Sequence, residues 1–121
     1  DPYSHNLKGR IELSRSDYVN AIRSFNSAMS LIGTDENMKS RIRYNRAQAF
    51  LRVGNYEKAG KDLAKYIKLL EERRVPVPED DLFAYGVTQY INRDIDGAIN
   101  TWDRLPESRR LQVYEVVGEL H

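Results

Sequence analysis

The feature that most constrains this chain is a pattern of small side chains that returns three times at nearly equal intervals. Gly9, Ala47 and Gly86 are each followed twelve residues later by an alanine, namely Ala21, Ala59 and Ala98. Three residues before those alanines stand Tyr18, Tyr56 and Ile95. Four after them stand Phe25, Leu63 and Trp102, and three further on Ala28, Tyr66 and Leu105. The middle copy is the plainest: a helix through Ala47 and Phe50, a turn at Gly54-Asn55, and a second helix from Tyr56. Asn55 suits an N-cap, and Glu57 places a negative charge in the first turn, where the helix dipole favours it. Small residues let two helices approach, and bulky ones fill the space around them. A hairpin this short cannot bury its apolar stripe alone, so the copies must stack.

Small, bulky, small, bulky at these intervals resembles the tetratricopeptide repeat (TPR) family, and the resemblance covers nearly the whole chain. It implies an all-α fold, a right-handed α-solenoid of three helical hairpins over residues 3–33, 36–74 and 79–105. A seventh, capping helix over 107–119 completes a single domain. The chain departs from the family in three ways. Ala47 follows Gly9 by 38 residues and Gly86 follows Ala47 by 39, against a family unit of about 34. The surplus falls at residues 30–40 and 68–81, and it amounts to little more than one turn of about 3.6 residues, which largely preserves the facing of side chains. The family's early tryptophan is replaced by His5, Arg43 and Leu82, and no proline closes the first two repeats.

Apolar spacing places the elements. The first helix, over residues 3–14, should bury Leu7, Ile11 and the edge residue Leu13. Ser16-Asp17 caps a second carrying Tyr18, Ala21, Ile22, Phe25, Ala28, Met29 and Ile32, ended by Gly33. Thr34-Asp35-Glu36 opens a third with Met38, Ile42, Ala47, Phe50 and Leu51. The fourth holds Tyr56, Ala59, Leu63, Tyr66, Ile67 and Leu70. Val75-Pro76-Val77-Pro78 forbids helix and favours an extended strut, after which Glu79-Asp80-Asp81 sits at a helix N-terminus. Leu82, Tyr85, Gly86 and Gln89 line the fifth helix. Asp94 caps the sixth, Pro106 stops it, and the seventh should present Leu111, Tyr114, Val117 and Leu120 as one apolar stripe covering the last core face.

The composition excludes several kinds of chemistry. There is no cysteine, so no disulfide, thiolate metal site or cysteine nucleophile. The net charge of +1 gives no global field to recruit nucleic acid or an anionic membrane. No apolar run approaches the roughly 18 residues of a membrane span, so no membrane insertion is expected, and nothing fixes the compartment. The chain opens at Asp1-Pro2 without an initiator methionine, and is expected to be an excerpt of a longer protein. His5 and His121 lie at the chain ends, outside any triad or metal-spaced cluster. Asp80 and Asp81 are explained by the helix N-terminus without acid–base work. No catalytic residue, metal or cofactor is expected, and the chain reads as a non-enzyme.

The resemblance implies instead a concave groove lined by the first helices of successive repeats, which in the family receives extended peptides or a partner's helix. Carried over by alignment, it is lined by Asn6, Arg10 and Leu13, then Arg41, Tyr44, Asn45, Gln48 and Arg52, then Asp80, Phe83, Val87 and Tyr90. That surface is basic and amide-rich at one end and aromatic at the other, which suits a carboxylate beside a hydrophobic anchor. Two readings stay open for several of these residues. Tyr44 and Phe83 fit either packing between first helices or ligand contact, and Arg41, Arg43, Arg46 and Arg52 fit either the groove or a solvated face.

Tyr44-Asn45-Arg46-Ala47 resembles a segment of chaperone-binding TPR domains, in which the asparagine helps hold the terminal carboxylate of a heat-shock chaperone tail. That subfamily's first-repeat lysine and asparagine are here Asn6 and Arg10, and its third-repeat lysine is Asp80. The exchange removes charge-assisted hydrogen bonds worth roughly 1.5–3 kcal/mol each and argues against a chaperone tail. The expected partner is another protein or peptide segment, in a scaffold or interaction module. Self-association through the convex side or the terminal helix, and a regulatory appendage of an enzyme, are the alternatives. RNA reading by helical repeats is disfavoured by the near-zero charge and by Tyr18, Phe25 and Trp102 standing in packing positions.

Overall fold

A computed structural model describes all residues 1–121. The chain forms seven α-helices: α1 (Pro2–Ser14), α2 (Tyr18–Leu31), α3 (Glu36–Arg52), α4 (Tyr56–Glu72), α5 (Glu79–Ile91), α6 (Ile95–Trp102) and α7 (Arg110–Glu119). A 3-10 turn, Glu107–Arg109, leads into α7. Helices 1 and 2, 3 and 4, and 5 and 6 pack as hairpins; α2 packs on α3 and α4 on α5, while α1 also touches α3 and α5 touches α7. The result is an array of adjacent helix pairs in which α7 takes the place of a further hairpin's first helix. No helix is long and apolar enough to cross a membrane.

The hairpins share their turn chemistry. Ser16, Gly54 and Arg93, which align across the three copies, all take left-handed backbone with φ of 61°, 77° and 69°. Each is followed by the N-cap of the next helix, Asp17, Asn55 or Asp94. The cap's own N–H closes the preceding helix, as in Asn55 N to Phe50 O and Asp94 N to Gln89 O, both 2.9 Å. Only Gly54 adopts that φ without strain. Asn55 and Asp94 cap through their side chains, whereas Asp17 does not and instead accepts from Asn20 Nδ2 at 2.9 Å.

The small residues fit as holes for the bulky ones. A Cβ on Gly9 would lie 2.5 and 2.7 Å from the Phe25 ring, and one on Gly86 would lie 2.5 and 2.7 Å from Cδ1 and Cε2 of Trp102. At the same register the middle hairpin has Ala47 and Leu63, both buried. Two hairpins are also tied alike: Ser24 Oγ donates to Glu12 Oε1 and Thr101 Oγ1 to Gln89 Oε1, each at 2.5 Å. In the middle hairpin the equivalent of Ser24 and Thr101 is Asp62, which instead takes a two-pronged contact from Arg46, Nε to Oδ2 at 2.8 Å and Nη2 to Oδ1 at 2.7 Å. Arg46 Nη1 also reaches Asn26 Oδ1 on α2 at 3.0 Å, so one guanidinium pins three helices.

The core divides in two. One cluster joins Ala21, Phe25, Ala28, Ile32, Ile42 and Ala49; the other joins Leu82, Ala98, Trp102, Leu105 and Val113. The terminal helices depart from their expected facing. Leu7 and Ile11 are exposed, and α1 turns Asn6 and Gly9 inward, with Leu13 against the first core cluster. Its inner side must accommodate Phe25 and Asn45, and only a stripe one residue off the apolar one presents the needed glycine. Likewise α7 buries Val113 and seats Val117 on the second cluster, leaving Leu111, Tyr114 and Leu120 outward. Two apolar stripes interleave in that helix, about 100° apart per residue, and its one-sided contact with α5 selects the narrower.

Candidate functional site

The surplus residues of the repeats build the chain's main cavity. The additional turns lengthen the start of α3 and the end of α4, which lie side by side in an antiparallel hairpin. Between them, α1 and the strut after α4 opens a cavity of about 630 Å³, within the usual range of ligand pockets, about 300–1,000 Å³. Asn37, Met38 and Ser40 come from the surplus before the second repeat, and Leu69, Leu70, Arg73 and Val75 from the surplus after it. Asn6, Arg10, Arg41, Tyr44, Asn45 and Tyr66 complete the wall.

Two polar networks set its shape. Asn45 Nδ2 donates to Asn6 Oδ1 at 3.2 Å, and Asn6 Nδ2 lies 3.9 Å from Met38 Sδ, tying α1 to α3. The Asn45 side chain thus has a partner within the fold. Opposite, Tyr44 and Tyr66 lie ring against ring, centroids 4.9 Å apart at 58°. Tyr66 Oη donates to Asp81 Oδ2 at 2.7 Å, bridging α4 to the first turn of α5. Burial pushes the Tyr66 hydroxyl pKa well up from 10.0, and its bond to Asp81 and that carboxylate's charge add to the effect. Tyr44 is raised by burial and then by Asp81. The upward shift favours the protonated Tyr66 phenol that donates to Asp81.

The residues expected to line one groove divide between two places. Asn6, Arg10, Arg41, Tyr44 and Asn45 meet on the cavity. Leu13 packs against the first core cluster instead. Gln48 and Arg52 lie outside the cavity, further along α3; Arg52 is seven residues past Asn45, about 10 Å of helix. Phe83, Val87 and Tyr90 pack on the second core cluster, with Val117 of α7 beside them. Arg109 lies over the Phe83 ring at 5.6 Å and pairs with Asp80 at 3.0 Å and Glu79 at 3.6 Å. Tyr90 stands 5.9 Å from the Trp102 ring and edge-on to His121 at 5.7 Å. The aromatic end of the expected groove is thus partly covered by the chain's own last segment, whereas Arg10, Arg41 and Arg73 at the basic end are exposed.

Residue-type reasoning missed Leu69, Arg73 and Val75 as site residues, and took Met38, Tyr66 and Leu70 for packing alone. The available signal was the repeat length itself, since seven of the lining residues fall in the two surplus segments.

These features define a class, an all-helical array of paired helices with an open cavity that three arginines and no acid line. No protein-family model matches the chain, and no curated protein matches it.

Proposed function

We propose that this chain is a non-enzymatic protein-interaction module of TPR type, a right-handed array that receives a segment of another polypeptide in the cavity between α1, α3 and the end of α4. The observation that carries the reading is the convergence on one cavity of Asn6, Arg10, Arg41, Tyr44 and Asn45, from the first helices of two successive hairpins. Aligned left-handed turns in three pairs and aligned glycine-to-aromatic contacts in two of them support the repeat. The apolar wall gives an anchor site and the guanidinium and amide groups give orientation, the division of labour of a peptide site.

Random-peptide display against the folded domain tests this. Peptides selected on the native chain should lose binding to a variant carrying Arg41→Ala, Tyr44→Ala and Leu70→Ala, with helicity retained by circular dichroism. Undiminished binding to the folded variant refutes the cavity as the site.

A second reading, self-association through the outer face of α7, has its own support: Leu111 and Tyr114 are 69% and 68% exposed. Sedimentation at two concentrations decides it, since a monomer at both eliminates that reading.

A further inference from the structure

Charge is distributed unevenly around the cavity. Arg10, Arg41 and Arg73 all line it, and no aspartate or glutamate does, although the chain holds 18 acids against 19 basic residues. Several acids in the flanking segments are already engaged. Asp35 accepts from Met38 N at 3.0 Å and from Tyr3 Oη at 3.1 Å. Glu36 pairs with Lys39 at 3.3 Å, and Glu71 with Arg104 at 3.4 Å. Asp81 behind the wall accepts from Tyr66. None of the three cavity arginines takes part in any of the chain's ion pairs. Beside them Leu69, Leu70 and Val75 supply an apolar wall. Arg73 and Val75 belong to the surplus and the strut, so they add to the repeat-aligned Arg10 and Arg41 a cation and an apolar contact that the repeat pattern does not supply.

We infer that the cavity selects an acidic peptide segment, with carboxylate side chains flanking a bulky aliphatic residue. This inference rests on the cavity being the partner site, and adds the chemistry of the partner. The aliphatic side chain lies on Leu69, Leu70 and Val75. The carboxylates meet the unpaired guanidiniums, which are exposed before binding and give up little hydration to form charge-assisted bonds. The exposed amide of Asn37 lies on the same wall for the peptide backbone.

The test is fluorescence anisotropy with a fluorescein-labelled peptide in which two leucines are flanked by aspartates and glutamates, beside its asparagine/glutamine counterpart. The acidic peptide should bind at least about tenfold tighter, the gain of one good charge-assisted contact, and should weaken as salt rises. Arg41→Glu and Arg73→Glu should each reduce its affinity about tenfold or more. Both residues are exposed, and circular dichroism checks the fold. Arg23→Glu, exposed on α2 outside the cavity, should leave binding unchanged.

Equal binding of the two peptides, abolished by Tyr44→Ala but indifferent to Arg41→Glu and Arg73→Glu, would overturn the acidic preference and leave the cavity standing as the site. No binding of either peptide, together with display peptides that ignore the cavity variant, would remove both. Preference for a phosphoserine peptide or a single-stranded RNA over the acidic one would also overturn the assignment.

Discussion

Replacing Gly86 with alanine probes the register on which the array depends. Gly86 lies inside α5, where alanine would ordinarily stabilise the helix by about 1 kcal/mol. Here the added methyl would lie 2.5 and 2.7 Å from the indole carbons of Trp102, against an ordinary contact of 3.4 Å or more. The indole cannot retreat cheaply, because Trp102 is 8% exposed and held among Leu82, Ala98, Leu105 and Val113. Overpacking of this kind costs about 1–3 kcal/mol. Contacts this short against a pinned ring put the cost in the upper part of that range, about 2–3 kcal/mol, so after the helix-propensity gain of about 1 kcal/mol the net loss is about 1–2 kcal/mol, or roughly 4–8 °C in Tm.

The middle hairpin indicates the remedy, since the same register holds alanine opposite leucine, Ala47 and Leu63. Trp102→Leu alone should cost about 2–4 kcal/mol for the void it opens. In the double variant the alanine methyl occupies part of that void, so the loss should fall short of the sum of the single losses by about 1 kcal/mol or more. Urea unfolding followed by circular dichroism measures all three. Tryptophan fluorescence cannot serve, because Trp102 is the only tryptophan. Strict additivity, or a Gly86→Ala variant as stable as the parent, would show that the small and bulky positions do not interlock.

Asp62→Ala should destabilise the fold by about 3 kcal/mol, because it strands the half-buried Arg46 guanidinium between three helices. Arg46→Met with Asp62→Leu should recover much of the loss, and urea midpoints of the three proteins check this. Tyr44, Tyr66 and Tyr85 all have hydroxyl pKa values raised from 10.0, chiefly by burial. The unfolded chain then releases these protons first. Stability should be flat below about pH 10 and fall as pH rises above it. Thermal melts across that interval test the sign, and Tyr66→Phe should flatten part of the slope while lowering stability by leaving Asp81 without its donor.

Much of the fold was legible because its boundaries are chemical. Asp35, Asn55 and Asp94 each accept from the backbone N–H three residues on, and Pro76 and Pro78 permit no other reading of the strut. Facing was legible wherever a helix has neighbours on both sides, as in α2, where Ala21, Phe25 and Ala28 are fully buried. It was not legible in α1 and α7, which have a partner on one side only, so periodicity alone does not choose between adjacent stripes. The Arg46–Asp62 fork was hidden for a different reason. Among four arginines on α3, only the buried carboxylate across the hairpin singles out Arg46, and sequence spacing carries no such distance. The cavity was legible in part, since Asn6, Arg10, Arg41, Tyr44 and Asn45 follow from the repeat alignment, whereas the wall of Leu69, Leu70, Arg73 and Val75 was hidden because it comes from segments the repeat does not specify.

Which part of the concave side a partner engages first follows from what must move. Phe83 and Tyr90 keep part of their surface open, but to engage the faces that pack on the second core cluster a ligand has to lift α7. That exposes Val113, a burial worth about 1.5–3 kcal/mol, and breaks the contacts of Arg109 with Phe83, Asp80 and Glu79. The partner must also restore some cover to the Trp102 cluster, against which Val113 and Val117 lie. To reach Tyr44, Arg41 or Arg73 it has only to displace water. Two sites of similar intrinsic affinity would therefore differ in apparent affinity by a factor of about ten or more for each 1.4 kcal/mol spent on lifting α7. On the proposed reading, binding begins at the basic end, and the aromatic end is fully engaged only by a partner whose gain there exceeds the cost of undocking that helix.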